Sequence, residues 1–337
     1  MIPDQFHRPL HDLRISVIDR CNFRCPYCMP QEQFNHAYKF LEKKEWLSFD
    51  EILRLVKIFV SLGVEKVRLT GGEPLLRPNL DVLVRGLCEI DGITDLALTT
   101  NASMLSEYAM KLKKAGLKRI TISLDSLDEN VFKALSGSKG HLHEVLAGIQ
   151  AAKEVGFESI KLNSVIQRGI NDQSVLDLVA FARQEGLILR FIEYMDVGNQ
   201  NHWQLSQVVP SDEILAMISS AYPLKQIATT QEGETSEVFQ FLDGKGDVGF
   251  VSAVSHPFCG TCNRLRLSAD GKMYTCLFAS QGTDLSQPIR GNFSDEQITN
   301  IITQVWHKRI DRYSQERFEN QHIKSSTPKV EMYHIGG

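Results

Sequence analysis

No stretch of the 337-residue chain reaches the run of about eighteen apolar residues that a membrane-spanning helix needs. The start, Met1-Ile2-Pro3-Asp4-Gln5-Phe6, lacks a charged segment followed by an apolar one, so no secretory leader is read there and a cytoplasmic location is expected. Charge of one sign is also lacking. Lys plus Arg at 37 against Asp plus Glu at 41 leaves a formal net charge of −4, so no overall basic field recruits nucleic acid and any anion site must be local. The seven cysteines do not form a disulfide framework, because they fall as three at 21–28, three at 259–276, and Cys88 alone. Neither triplet has the fourth cysteine that a zinc ribbon or a fully ligated ferredoxin cluster uses. Reduced thiols again suit the cytosol. At 42% hydrophobic and 23% charged, the chain is an ordinary globular protein, long enough for one large domain plus a smaller one.

What is there begins with Cys21-Asn22-Phe23-Arg24-Cys25-Pro26-Tyr27-Cys28, a C-x3-C-x2-C run directly after a strand pattern. Three thiolates within eight residues ask for a metal. If they hold a cubane iron–sulfur cluster, one iron has no protein ligand and is open to a small molecule. The alternatives are three ordinary thiols, or three-quarters of a zinc site completed by a distant His. The second set, Cys259, Cys262 and Cys276, spans a hairpin pattern with Asp270-Gly271 at its turn. Zinc completed by His256 is the alternative there, and a second cluster with a second open iron the preferred reading. Cys88 falls on the apolar face of a helical pattern and is expected in the core.

Between residues 13 and 195, β patterns at 13–18, 66–70, 95–100, 119–124, 159–166 and 188–193 alternate with helical patterns near 49–61, 79–88, 104–114, 144–155 and 174–184. Ser103 and Asp172 are expected N-caps. Six βα units make an α/β fold with a partial (βα)6 TIM-like barrel, since a complete barrel needs eight. Several strands alternate polar and apolar residues where buried parallel strands should be continuously apolar. Arg14, Lys66, Arg68, Thr121, Ser123 and Lys161 fall on the polar side, and Thr99 less regularly. That face is expected to line the barrel interior around water and a polar ligand, because burying it unpaired would be costly. A one-sided antiparallel sheet facing solvent is the alternative. After residue 196 the rhythm ends. A capped helix over 211–221, a polar loop over 228–234, a hairpin over 237–252 and a helix over 295–309 follow. We divide the chain into residues 1–225, the barrel with the first cluster, and residues 226–337, an α+β cap carrying the second. Arg264 and Arg266, two apart on one strand, point to the same side beside the second cysteine set. With the barrel cations they make a chamber suited to a phosphate-bearing guest.

The C-x3-C-x2-C run with an aromatic residue before its last cysteine resembles the radical S-adenosylmethionine (SAM) superfamily. Thr70-Gly71-Gly72-Glu73-Pro74, at the C-terminal end of the second strand, is similar to that superfamily's glycine-rich SAM segment. The combination of DLRISVIDRCNFRCPYC, VRLTGGEPLLR, RFIEYMDVG, FCGTCNRLRLSADGKMYTCLF and a terminal Gly336-Gly337 looks like the GTP 3',8-cyclase family of molybdenum cofactor biosynthesis, from about residue 8 to the end. The resemblance implies a lyase that uses two 4Fe–4S clusters and SAM to cyclise GTP into 3',8-cyclo-7,8-dihydroguanosine 5'-triphosphate. It implies Cys21, Cys25 and Cys28 as ligands of the SAM cluster, and Cys259, Cys262 and Cys276 as ligands of the substrate cluster. Tyr27, Gly72, Ser123 and Met195 would contact SAM. Arg14, Arg68, Thr99, Lys161, Arg264 and Arg266 would contact GTP, with Lys66 adjacent and Gly336 and Gly337 entering the chamber. No general base is assigned, because hydrogen-atom abstraction needs none. A small-molecule or protein electron donor and the next enzyme of the pathway, cyclic pyranopterin monophosphate synthase, are the implied partners, with no nucleic acid and no membrane, and a homodimer left open. The rival readings are a radical SAM maturase of peptides with an auxiliary cluster, and a non-enzymatic iron–sulfur redox protein.

Overall fold

The computed structural model describes residues 1–228, 233–319 and 328–337. Six strands in chain order form the middle of one sheet and pair in parallel: β1 Asp12–Ser16, β2 Lys66–Thr70, β3 Asp95–Thr100, β4 Arg119–Ser123, β5 Ser159–Ile166 and β6 Ile188–Glu193. Each crossover carries helix: α1 Phe49–Ser61, α2 Leu80–Cys88, α3 Leu105–Lys114, α4 Glu129–Leu135, α5 Leu142–Glu154 and α6 Val175–Glu185. The antiparallel alternative therefore fails. In β2 the apolar Val67 and Leu69 are buried against the helices, and in α1 Ile52, Leu55, Val56, Ile58 and Phe59 supply the facing stripe. Each such side chain fully buried stabilises the fold by about 1.5–3 kcal/mol. α1 begins where Ser48 accepts from Glu51 N–H and the Glu51 carboxylate accepts from Ser48 N–H, a reciprocal cap.

The strand order continues at both edges. Past β6 come β9 Asp247–Val251, β8 Glu237–Phe241 and β7 Leu224–Ile227; past β1 come β10 Arg264–Leu267, β11 Lys272–Tyr274 and β12 Thr283–Asp284. The C-terminal residues thus join the barrel sheet, β9 in parallel with β6 and β10 in parallel with β1. The edges of a six-stranded unit would otherwise expose unpaired N–H and C=O groups. The hairpins expected around Asp243-Gly244 and Asp270-Gly271 are present. Of the polar loop expected over 228–234, residues 229–232 lie outside the described residues.

Local expectations fail at three points. Ser103 does not cap α3: its N–H and Oγ both donate to Asn101 Oδ1, and its Oγ accepts from Asn22, so the hydroxyl is committed to the loop. Asp172 opens a short 3-10 turn and does not cap α6. Cys88 is exposed at the last turn of α2, while Leu80, Leu83, Val84 and Leu87 form that helix's buried stripe. α4 is too short to show periodicity, although its cap is visible as Asp128, which accepts from Asn130 and Val131 N–H. No helix among the described residues is long and apolar enough to cross a membrane.

The last described segment, residues 328–337, returns over the barrel mouth. Lys329 Nζ pairs with Asp196 at 2.8 Å, Glu331 accepts from Asn199, and Tyr333 packs edge-on against Phe34. Gly336 follows in the left-handed region at φ +73°, where a Cβ would run into Thr70.

Candidate active site

The loop after β1 brings Cys21, Cys25 and Cys28 to one cavity of about 150 Å³, whose other walls include Gly72, Glu73, Asn101 and Ser123. The loop is tight because Cys28 and Met29 N–H both bond to Cys25 O. Gly72 is required by its own surroundings: a Cβ there would meet the Arg20 carbonyl. Burial, then neighbouring Glu73, pushes the Cys21 thiol up to about 12. Burial and then Cys21 and Cys28 hold Cys25 far above its ordinary value, and burial with Cys21 does the same for Cys28. Three converging thiols raise one another, and three thiolates here call for a strongly cationic partner. Among the described residues no three His, Cys, Asp or Glu side chains are arranged around a single metal ion. A cubane cluster makes no such demand, since each thiolate takes a different iron. The donor set fits an iron–sulfur cluster better than zinc.

The second set lines a larger cavity of about 220 Å³ together with Arg14, Arg68, Arg190, Arg264 and Arg266. Burial pushes Cys276 up to about 12, with Asp311 adding to it. Burial also raises Cys262, but Arg264 and Arg309 together outweigh it and hold that thiol down at about 6. The two guanidinium groups stand 3.4 Å from Cys262 Sγ, through Arg264 Nη2 and Arg309 Nη2. His256 does not line this cavity, and its Nε2 pairs with Asp212 at 2.9 Å, so it is not the fourth ligand that the zinc alternative named. The donor set again fits a cluster held by three cysteines.

Tyr27, Thr99, Ser123, Asp125, Met332 and Gly337 line both cavities, so the two cysteine sets face one chamber. Strand register explains its charge. Arg14 on β1 is opposite Arg68 on β2 and Arg266 on β10, three like charges on neighbouring strands that lie roughly 4.8 Å apart. Such a row is destabilising by itself. Burial, followed by Arg266, Arg264 and Arg68, drives the Arg14 guanidinium well below its ordinary value. Arg68 Nη1 donates to Thr99 and Thr121 at 3.2 and 2.9 Å, and Arg266 Nη1 donates to the Gly336 carbonyl. A recess of about 100 Å³ continues from this row past Lys66, Arg119, Lys161 and Arg190. There burial, with Arg190, Arg119 and Arg68 facing it, pushes the Lys161 ammonium down to about 8. This is an anion site charged in advance.

Of the sequence candidates, Gly72 lies in the smaller cavity and Met195 in the larger; Tyr27, Thr99 and Ser123 lie at their junction; Lys66 and Lys161 line the recess. Four further residues belong to the site. Arg119 opens β4 on the face of Thr121 and Ser123, so the polar-face rule would have found it, whereas Arg190 shares its face of β6 with Ile188 and Ile192 and no alternation marks it. Glu73 accepts from Leu75 and Asn101 N–H and from Thr100 Oγ1, and burial lifts its carboxyl to about 7. Asp125 accepts from Tyr27 Oη at 2.7 Å and from Val165 N–H, and burial lifts it to about 6. Asp125 continues the polar alternation of Thr121 and Ser123 just past β4, so the sequence places it on the polar face, though not its partners.

A three-cysteine loop at the C-terminal end of β1, closing a six-stranded parallel α/β barrel over a polar chamber, defines a radical SAM enzyme. A family model described as Radical SAM superfamily matches residues 15–182, and one described as Molybdenum Cofactor Synthesis C matches residues 187–315. A GTP 3',8-cyclase of Acidothermus cellulolyticus is 47% identical over 100% of this chain and 99% of that relative. Those of Xanthomonas campestris pv. campestris and Staphylococcus saprophyticus are 48% and 42% identical over 99% and 100% of the chain, and over 97% and 99% of themselves. Among solved structures, Streptococcus suis SuiB bound to S-adenosylmethionine superposes with a TM-score of 0.62 over 95% of this chain and 69% of its own. At 15% identity it shows the fold alone. The chain belongs to the GTP 3',8-cyclase family, enzymes of molybdenum cofactor biosynthesis whose cofactors are SAM and iron–sulfur clusters.

Proposed function

We propose that this chain cyclises GTP to 3',8-cyclo-7,8-dihydroguanosine 5'-triphosphate, with Cys21, Cys25 and Cys28 holding the SAM cluster and Cys259, Cys262 and Cys276 holding the substrate cluster. The observation that carries this reading is the pair of cysteine triplets facing one chamber whose walls between them are cationic. Bound there, the first cluster and SAM would supply the one-electron, hydrogen-abstracting chemistry that the cyclisation needs. Tyr27, Gly72 and Ser123 border the first triplet's cavity and hold SAM, with Met195 reaching it from the larger cavity. Arg14, Arg68, Thr99, Arg264 and Arg266 hold GTP, and Lys66, Lys161 and Arg190 receive its phosphates. Seven cationic side chains and three carboxylates line the recess, an excess of positive charge that a triphosphate neutralises. Gly336 and Gly337 close the chamber beside Arg266 and Thr70. In this arrangement residues 1–225 make the SAM side and residues 226–337 the substrate-cluster side. The reaction also requires a one-electron donor, small molecule or protein, and hand-off of the product to the next enzyme of the pathway.

The test is anaerobic reconstitution with iron, sulfide, SAM, reductant and GTP, followed by analysis for 5'-deoxyadenosine and a cyclised nucleotide. GTP-dependent formation of both is expected. Deoxyadenosine formed equally with and without GTP, and no new nucleotide, would sink the assignment.

A further inference from the structure

The first residues of the chain, which the substrate chamber does not use, run beneath the second cysteine set. Asp4, Arg8 and Arg309 form a triad there whose side chains are 0%, 1% and 2% exposed. Asp4 Oδ2 accepts from Arg8 Nε at 2.6 Å and from Arg309 Nη1 at 3.2 Å, and Asp4 Oδ1 accepts from Phe6 and Arg8 N–H. Trp306, itself fully buried, lies 4.7 Å under the Arg309 guanidinium and donates its Nε1–H to Arg8 O. The two arginines then bond to Cys259, to Cys262 and to the residue before Cys276. Arg8 Nη1 donates to Cys259 O at 2.8 Å; Arg309 Nη1 donates to Cys262 O at 2.7 Å; Arg309 Nε donates to Thr275 O, the carbonyl before Cys276, at 3.1 Å. The remaining Arg309 nitrogen, Nη2, faces Cys262 Sγ at 3.4 Å.

The first set is built differently. Cys21 Sγ accepts from the Phe23 N–H and the Asn101 amide, at 3.4 and 3.8 Å. The nearby Arg24 donates to the carbonyls of Cys21 and Phe23. Among the described residues the sulfurs of the first set thus receive neutral donors, whereas Cys262 receives guanidinium donors. Hydrogen bonds to ligand sulfurs and nearby positive charge stabilise the reduced, more negative form of an iron–sulfur cluster and raise its potential.

We infer that Arg309, aimed by Asp4 and Trp306, is a positioning and tuning residue that makes the cluster on Cys259, Cys262 and Cys276 easier to reduce than it would be with neutral donors alone. This rests on those three cysteines being its ligands, as proposed above. Arg309 is fixed by a carboxylate of opposite sign, and the two charges act on the cluster in opposite directions. Removing the cation disfavours the extra electron; removing the anion favours it.

The experiment is a reductive titration of full-length reconstituted protein by electron paramagnetic resonance, with iron analysis beside it. Variants with Cys21, Cys25 and Cys28 all changed to Ala isolate the second signal. Arg309→Gln should lower the ratio of reduced to oxidised second cluster at a fixed potential by about tenfold, equivalent to ~59 mV for one electron. Asp4→Asn should move the same ratio upward, and Arg309→Lys should keep most of the wild-type value. Shifts of opposite sign at unchanged iron content support the inference. Shifts of the same sign, no shift, or loss of the second cluster's iron in both the Gln and Lys variants would overturn it and leave Arg309 a structural clamp. Failure of the ligand assignment reads out separately, as wild-type iron content that Cys259→Ala, Cys262→Ala and Cys276→Ala leave unchanged.

Discussion

Lys161 gives the sharpest test of the chamber's electrostatics. It stands on β5 beside Thr121 of β4, and Arg190, Arg119 and Arg68 share its recess. Burial first, and then these three cations, bring its ammonium down to about 8. A triphosphate beside it favours the charged form, so binding raises that value. A group whose pKa rises on binding adds affinity that is fully present below its free-state pKa and is lost as pH rises through the bound-state one. GTP affinity should therefore be flat from about pH 7, where the terminal phosphate is ionised, to about pH 8, and fall above it, before Arg190, which burial holds at about 10, begins to titrate. One charge-assisted bond to phosphate contributes about 1.5–3 kcal/mol, so Lys161→Gln should weaken GTP binding roughly 10- to 150-fold at neutral pH. It should also flatten the fall above pH 8. Anaerobic titration calorimetry in two buffers of different ionisation enthalpy measures both, since proton uptake at alkaline pH should be seen in the wild type and disappear in the variant. An affinity that does not change from neutral pH to about one unit above the Lys161 value, or an unaltered slope in Lys161→Gln, would refute the reasoning.

The remaining predictions concern other walls of the site. Arg266→Ala removes one of the three aligned arginines and the donor to Gly336 O; GTP binding should weaken at least tenfold while SAM cleavage without GTP persists, and loss of both clusters would instead make Arg266 structural. Gly336→Ala places a methyl against Thr70 at a left-handed φ; product formation should drop about tenfold or more, a change of ~1.4 kcal/mol, with iron content intact, and wild-type turnover would refute the close fit. Tyr27→Phe leaves the buried Asp125 Oδ2 without its donor; unfolding in urea should show a loss of about 1–3 kcal/mol, and no change in midpoint would mean water replaces the hydroxyl. Glu193 is buried and accepts from Ser211, Val254 and Ser255 N–H at 2.8, 2.7 and 2.9 Å, fastening the end of β6 to the helix Ser211–Ala221 and to the loop after β9. Glu193→Gln turns an NH2 toward those donors and should destabilise by about 3 kcal/mol; a loss below about 0.5 kcal/mol in the same assay would refute the clamp.

Both cysteine triplets, the six βα units, the two hairpins and the polar alternation of β1, β2, β4 and β5 were legible in the sequence alone, because each depends on residues within a few positions of one another. Period-two alternation says which side chains share a face of one strand, and two cysteines three apart share a loop whatever the rest does. The same local reach explains the errors. Ser103 has the chemistry of a cap, but its hydroxyl is taken by Asn22 and Asn101, two loops that only the folded chain brings together. Which strands become neighbours was not legible. β10 reaches β1 across some 250 residues, and that pairing adds Arg266 to the line that Arg14 makes with Arg68 of the neighbouring β2. Asp4, unremarkable near the start of the chain, ends beneath Cys262 through Arg309, and Gly337 ends between the two cysteine sets. Short-range sterics and hydrophobic period wrote the parts into the sequence; their convergence on one chamber came from the edges of the sheet being paired by strands and segments distant in the chain, a cooperative choice no local window contains.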